Sequence, residues 1–374
     1  MNKKLLSALA TALVAAGCTA ALAAHADDRG RGDIESDTPV TLAVFGDWPY
    51  NQLLLDSAPL LVDSVNADYA VSRVIHVGDI HSGSMPCTSA DILPPIATAD
   101  PGWNQKIYFQ FQQFAMPLVY TPGDNEWTDC HKSKEKSSGA PLKELASLRS
   151  LFFSQPGMTL GHDADEVSTQ ARDFDPAHPE DAQFVENLMW EQSKVVFVTL
   201  NMPGSNNDSL PWSGAFANPA AQTQERETRT AADLRWLQAA FDHARTAHAR
   251  AVVIAQQADM WDPEATAPGG DGLDAYTPYV QKLADLATAF GRPVLLLNGD
   301  SHKFEADRPL ADPTSATGMI HHTQAVPNLQ RITVQGSTNA PAEWLRLTVD
   351  PRTPQVFSWS NVPYCTDPLT SCQP

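Results

Sequence analysis

The stretch LLLNGDSHKF (295–304) decides how this chain is read. An apolar run stops at a glycine, and an aspartate and a histidine follow at once. Three other runs end the same way: LAVFGDWPY (42–50), VIHVGDIHSG (74–83) and LVYTPGDNEW (118–127). Each is a short apolar run bounded by turn residues, the pattern of a buried strand. Glycine lets the backbone turn sharply and approach a ligand. In an open α/β sheet, ligands bind outside the carboxyl ends of the strands, so four Gly-Asp pairs would converge on one rim. Taken singly, each aspartate is ordinary turn or cap chemistry. Four together repel and would have to take up protons unless they share a cation. Hard divalent ions prefer such oxygen ligands.

Working outward, strands alternate with helices. VTLAVFG (40–46), SRVIHVG (72–78), MPLVYT (116–121), KVVFVTL (194–200), AVVIA (251–255) and PVLLLN (293–298) read as strands. One amphipathic helix is expected between the first two. A long helix is expected over 223–248, with Leu234, Leu237 and Phe241 on one face, and further helices near 141–153 and 278–290. The chain from about 330 reads as short strands. Such alternation followed by a run of strands predicts α/β layers. Residues 131–192, with the lysine-rich HKSKEKSS, break the pattern and read as an insertion over the site. No linker divides the chain after residue 39, so 39–362 reads as one domain, with 363–374 as a tail carrying a cysteine pair.

The 374 residues are 43% hydrophobic and 18% charged, ordinary globular composition with ample length for a core. The formal charge of −19 disfavours a nucleic-acid backbone or an anionic bilayer as partner. MNKK, a short apolar run and AHA at 24–26 together predict a cleaved signal peptide over 1–26, followed by a flexible leader over 27–38. No later run is long and apolar enough to span a membrane. The protein is therefore expected to be exported, periplasmic or extracellular. Cleavage leaves Cys87, Cys130, Cys365 and Cys372, which suggests disulfides in an exported chain. Of the three possible connectivities, Cys365–Cys372 with Cys87–Cys130 is favoured. The latter bridge would tie together two of the Gly-Asp loops.

Gly46-Asp47, Gly78-Asp79, Gly123-Asp124-Asn125-Glu126 and Gly299-Asp300-Ser301-His302, in this order, resemble the motifs of the calcineurin-like metallophosphoesterases, which include the purple acid phosphatases. The resemblance covers about residues 39–350. It implies a four-layer αββα sandwich of two mixed sheets with two metal ions at the strand ends. It places Asp47 and His302 on the first metal, Asp79 between both, and Asp124 and Asp300 at ligand positions. Asn125 stands where the family has a histidine that contacts the phosphate. The family's penultimate histidine falls at AQQAD, where Gln256 or Gln257 replaces it; Gln256 is taken as the ligand. Pro49 replaces a further histidine. Exchange of imidazoles for oxygen ligands favours Mg²⁺, Mn²⁺, Ca²⁺ or Fe²⁺ over Zn²⁺.

The expected activity is hydrolysis of a small phosphomonoester or phosphodiester by a metal-activated water, with Asn125 and His81 as catalytic side chains. The alternative is a degenerate member of the same fold with a binding or scaffolding role. His76 reads as a core histidine and His321-His322 as a surface pair. Trp48 and Trp127 read as core cover. Tyr50 is a candidate contact for a metal or phosphate. The chain carries no P-loop, dinucleotide fingerprint, zinc-finger spacing or nucleophile elbow.

Overall fold

The computed structural model describes residues 37–87 and 102–373. The signal-peptide reading, most of the expected leader and residues 88–101 lie outside them. The strands are β1 (Val40–Phe45), β2 (Val71–His76), β3 (Leu118–Tyr120), β4 (Ser168–Thr169), β5 (Leu188–Gln192), β6 (Val195–Thr199), β7 (Ala251–Ala255), β8 (Val294–Asn298), β9 (Glu305–Asp307), β10 (Leu329–Thr333), β11 (Ala342–Val349) and β12 (Phe357–Cys365). One sheet runs β12-β11-β1-β2-β3, with β1, β2 and β3 parallel and β11 antiparallel to β1. The other runs β4-β5-β6-β7-β8-β10-β9, with β6, β7, β8 and β10 parallel. Both sheets are mixed and both are covered by helices. This is the αββα sandwich that the motif order implies.

The central strands read as nearly continuous apolar runs because both of their faces are buried. Along β1, Leu42 and Val44 pack with Phe197, Val253, Leu295 and Ile332 of the second sheet. Ala43 and Phe45 pack with Leu54, Leu61, Phe111 and Leu148 on the outer helices. Val196 and Val198 of β6 turn the other way and meet Trp236, Leu237 and Phe241 of the helix Pro219–Thr246. The two-residue period of a strand thus builds three apolar layers from two sheets.

Two segments depart from expectation. The single helix expected after β1 is two, Gln52–Asp56 and Ala58–Asn66, because Pro59 at the second helix's start cannot continue the first. Residues 131–192 do more than cover the site. Their helix Pro141–Phe152 buries Leu145, Leu148 and Leu151 against the first sheet, and their β4 and β5 extend the second.

Phe197 joins the inter-sheet layer and stacks on Trp190, with ring centroids 5.0 Å apart. Phe197→Ala should cost about 3–5 kcal/mol of stability. Urea unfolding of the two proteins measures this; a loss below about 1 kcal/mol would contradict the layer assignment.

Candidate metal centre

The loops that follow β1, β2, β3, β6, β7 and β8 meet at one place. Backbone bonds lock them: Asp47 N–H donates to Gly78 O at 2.9 Å, Trp48 N–H to Asp79 O at 2.9 Å, and Gly299 N–H to Gln257 O at 3.0 Å. Asp47, Asp79, Asp300 and His302 all have left-handed backbones, with φ of 50°, 59°, 76° and 62°. Non-glycine residues rarely hold that conformation, and it gathers at functional sites. Close approach also explains one glycine. A Cβ on Gly123 would stand 2.0 Å from Asp79 Oδ1.

Asp47, Asp79 and His302 each offer a ligand atom within 4.8 Å of the others. The Tyr50 hydroxyl sits among them, 2.9 Å from Asp47 Oδ1, 2.8 Å from Asp79 Oδ2 and 3.0 Å from His302 Nε2. Asn125 Nδ2 donates to Asp79 Oδ2 at 2.8 Å and reaches the same hydroxyl at 3.2 Å. Beside this group lies a second. Gln257 Nε2 is 3.4 Å from Asp79 Oδ2, 3.0 Å from Asp124 Oδ1 and 3.1 Å from Asp300 Oδ1. Asp79 belongs to both groups.

Counting protons shows what this arrangement lacks. A phenol brings one proton and a primary amide two. Tyr50 therefore cannot serve both Asp47 and Asp79, and Gln257 cannot serve three carboxylates fully. Asp47 Oδ2 is buried with no hydrogen-bond partner. Burial first, and then neighbouring carboxylates, push Asp79 and Asp300 well above the usual carboxylate range. Burial also raises Asp47 and Asp124, although His302 opposes it at Asp47 and Lys132 and Lys134 at Asp124. Burial and the two adjacent carboxylates push the Tyr50 phenol up, so it stays a donor. Crowded carboxylates that would otherwise take up protons, beside one half-exposed imidazole, fit a divalent cation. Asp47, Asp79 and His302 would hold one; Asp79, Asp124 and Asp300 offer oxygens for another.

A second cluster of possible ligands, Cys87, Cys130 and Glu135, is of a different kind. Its sulfurs form a disulfide with Cα atoms 5.8 Å apart, which removes both thiolates as ligands. The bridge ties the loop after β2 to the loop after β3, as favoured from the sequence. Cys365–Cys372 is also paired, with Cα atoms 4.9 Å apart.

The other sequence candidates divide. Gln256 is a correction: its amide donates to Ala258 O at 3.1 Å, and Gln257 faces the carboxylates instead. His81 is a second correction. Its ring is buried and held to Ser82 O at 3.1 Å, and only its backbone carbonyl meets Asn125. Burial lowers the ring's pKa to about 4, and its Nδ1 faces the Ser82 carbonyl oxygen, while the residues lining the cavity beside the carboxylates do not include it. His76 is a buried core residue, as read, and burial lowers its pKa to about 3. Trp48 and Trp127 are core cover. His321 is not a surface residue: it is buried and bonded to Met260 O at 2.7 Å, while His322 is exposed.

Several contributors had no role assigned from the sequence. Glu126 Oε1 accepts from Gly123 N–H at 2.7 Å and Tyr120 O–H at 2.6 Å, fixing the turn that carries Asp124. The residues Ser205–Asp208 after β6 hold four successive positive φ values of 53°, 53°, 56° and 56°. That left-handed turn costs roughly 1–2 kcal/mol per residue. It places the Ser205 hydroxyl 2.7 Å from Asp124 Oδ2 and 2.9 Å from Asp129 Oδ1. A cavity of about 370 Å³ opens beside the carboxylates, lined by Asn125, Lys134, Asp262, Asp271 and His302 among others.

No protein-family model matches the chain, and no curated protein matches it. Among solved structures it is similar to "GAP50 the anchor in the inner membrane complex of Plasmodium", at 11% identity and a TM-score of 0.42, over 88% of this chain and 90% of that one. That likeness is too distant to speak to function. The two mixed sheets flanked by helices match the calcineurin-like αββα arrangement, and Asp47, Asp79 and His302 lie close enough to hold a metal ion.

The raised carboxylates give a pH test. A folded-state pKa above the unfolded value means that the native chain binds more protons, so stability is full below about 3.8 and falls as pH rises through the raised values. In chelator, the melting temperature should fall as pH climbs from 4 to 8. Excess Mn²⁺ should remove most of that fall. Identical pH profiles with chelator and with Mn²⁺ would show that no cation answers these charges.

Proposed function

We propose that the protein is an exported, metal-dependent hydrolase of small phosphoesters. The observation that supports this most is the meeting of Asp47, Asp79 and His302 with Asp124 and Asp300 at the carboxyl ends of parallel strands. Divalent cations held there would make a bound water more acidic and neutralise phosphoryl oxygens. The family resemblance supports two such ions. The oxygen-rich ligand set supports Mg²⁺, Mn²⁺, Ca²⁺ or Fe²⁺ over Zn²⁺.

The chain's own groups have defined parts in this reading. Asp79 orders both halves of the site, since Tyr50, Asn125 and Gln257 all reach its carboxylate. Asn125 lines the cavity and orients that carboxylate. His302, half exposed at the cavity wall, closes the first ligand set. In the reaction, a water oxygen bonds to phosphorus and the ester P–O bond breaks. One water proton ends on the leaving oxygen, so an alcohol and a phosphate leave. Acidic walls and the charge of −19 make nucleic acid an unsuitable partner. No helix among the described residues is long and apolar enough to cross a membrane.

One observation favours a second reading. The Tyr50 hydroxyl and the Gln257 amide nitrogen already sit among the two carboxylate groups. In that reading they serve as internal donors, and the degenerate site binds or scaffolds without turnover.

Turnover decides between the two. Purified protein should hydrolyse p-nitrophenyl phosphate or bis(p-nitrophenyl) phosphate only with a divalent cation. Asp79→Asn should lower kcat/KM more than about 100-fold, beyond the usual effect of losing an outer partner. Folded wild-type protein that binds the cation but turns over neither ester would favour the binding role.

A further inference from the structure

The lysines of HKSKEKSS are the motif that the site description leaves unused. Among the described residues lining the cavity beside the carboxylates, Lys134 is the one lysine or arginine. Its neighbour Lys132 is occupied: Nζ lies 2.8 Å from Asp129 Oδ1, 2.8 Å from Ser205 Oγ and 3.5 Å from Asp271 Oδ2. Lys134 differs. Its side chain is half exposed, and Nζ rests 3.0 Å from Asp129 Oδ2, a carboxylate that is almost wholly buried. An ammonium has three protons to donate, so this anchor leaves others for the cavity. The short chain to Lys134 starts at Cys130, whose disulfide to Cys87 ties it to the loop after β2.

The Gly83 backbone packs close to this ammonium. A Cβ placed on Gly83 would stand 2.5 Å from Asn125 Oδ1 and 3.0 Å from Lys134 Nζ. Only a glycine lets Asn125 Oδ1 and the Lys134 ammonium stand this close to the backbone. The rest of the cavity wall has the opposite sign: Asp262, Glu264 and Asp271 line it from the loop after β7. A second anionic group in the same cavity would meet those carboxylates.

Resting on the phosphoesterase reading, we propose that the Lys134 ammonium, seated against Gly83 at the cavity wall, is a phosphoryl-oxygen subsite. Lys134 holds the oxygen, and the acidic wall restricts substrates to a single terminal phosphoryl group on an uncharged or cationic remainder. Lys134 supplies a charge and a donor here, and no proton leaves it. A charge-assisted hydrogen bond of this kind is worth roughly 10- to 100-fold in binding.

The test is calorimetric titration of inorganic phosphate into Mn²⁺-loaded wild-type, Lys134→Gln, Lys134→Arg and Gly83→Ala proteins. It is paired with steady-state kinetics on p-nitrophenyl phosphate and with Mn²⁺ content. Lys134→Gln should weaken phosphate binding roughly 10- to 100-fold and raise KM more than it lowers kcat, with Mn²⁺ content unchanged. Lys134→Arg should recover most of the loss. Gly83→Ala should lose phosphate affinity with the lysine intact. Pyrophosphate should bind wild-type protein more weakly than phosphate. Phosphate binding that ignores Lys134→Gln, or pyrophosphate binding as tightly as phosphate, would overturn the subsite while leaving the hydrolase reading in place. Wild-type protein that takes up neither Mn²⁺ nor phosphate would overturn both.

Discussion

A close cluster of four carboxylates, three of them buried and the fourth, Asp300, partly so, constrains everything else in this protein. The Tyr50 phenol has one proton for Asp47 and Asp79, and the Gln257 amide two for Asp79, Asp124 and Asp300; Asn125, Ser205 and backbone N–H groups supply more, yet Asp47 Oδ2 has no hydrogen-bond partner. Such a cluster is costly to bury unless protons or a cation neutralise it. The fold bears that cost through rigidity. Parallel strands in two sheets deliver the loops to one rim, left-handed turns aim the side chains, and backbone bonds between the loops keep them in place. The inter-sheet layer of Val44, Phe197, Leu295 and their neighbours is what holds the two halves of the site in register.

Most of the architecture was legible because both faces of the central strands are buried. Apolar runs of five or six residues ending in Gly-Asp marked the strands and the rim together. The break between Gln52–Asp56 and Ala58–Asn66 was also visible in Pro59, though helical periodicity on both sides masked it. Residues 131–192 were harder to place. β4 has only two residues, and its pairing with β5 depends on tertiary contacts rather than on an alternating pattern.

The site was legible in its acids and less so in its amides. Asp47, Asp79, Asp124, Asp300 and His302 come together where the motifs place them. Gln257 could have been chosen over Gln256 by strand parity. Val253 and Ala255 face the second layer of the sandwich and Val252 and Ile254 face the helices, so the two-residue period continues to Gln257 on the side of the site. His81 could not have been excluded in this way. Its position after Gly78-Asp79 says nothing of the turn that buries its ring against Ser82. The left-handed run Ser205–Asp208 has no sequence signal beyond small polar residues, because its conformation is fixed by contacts such as Ser205 with Asp124 and Asn206 with Asp274.

The central claim is that a divalent cation, and not the Tyr50 hydroxyl alone, answers the charge of this cluster. The most direct test is an anomalous difference map from crystals grown with Mn²⁺. This account predicts a peak bounded by Asp47, Asp79 and His302, with metal–oxygen and metal–nitrogen distances of about 2.0–2.3 Å. A map without a peak there, with the Tyr50 hydroxyl still bridging Asp47 and Asp79, would contradict it.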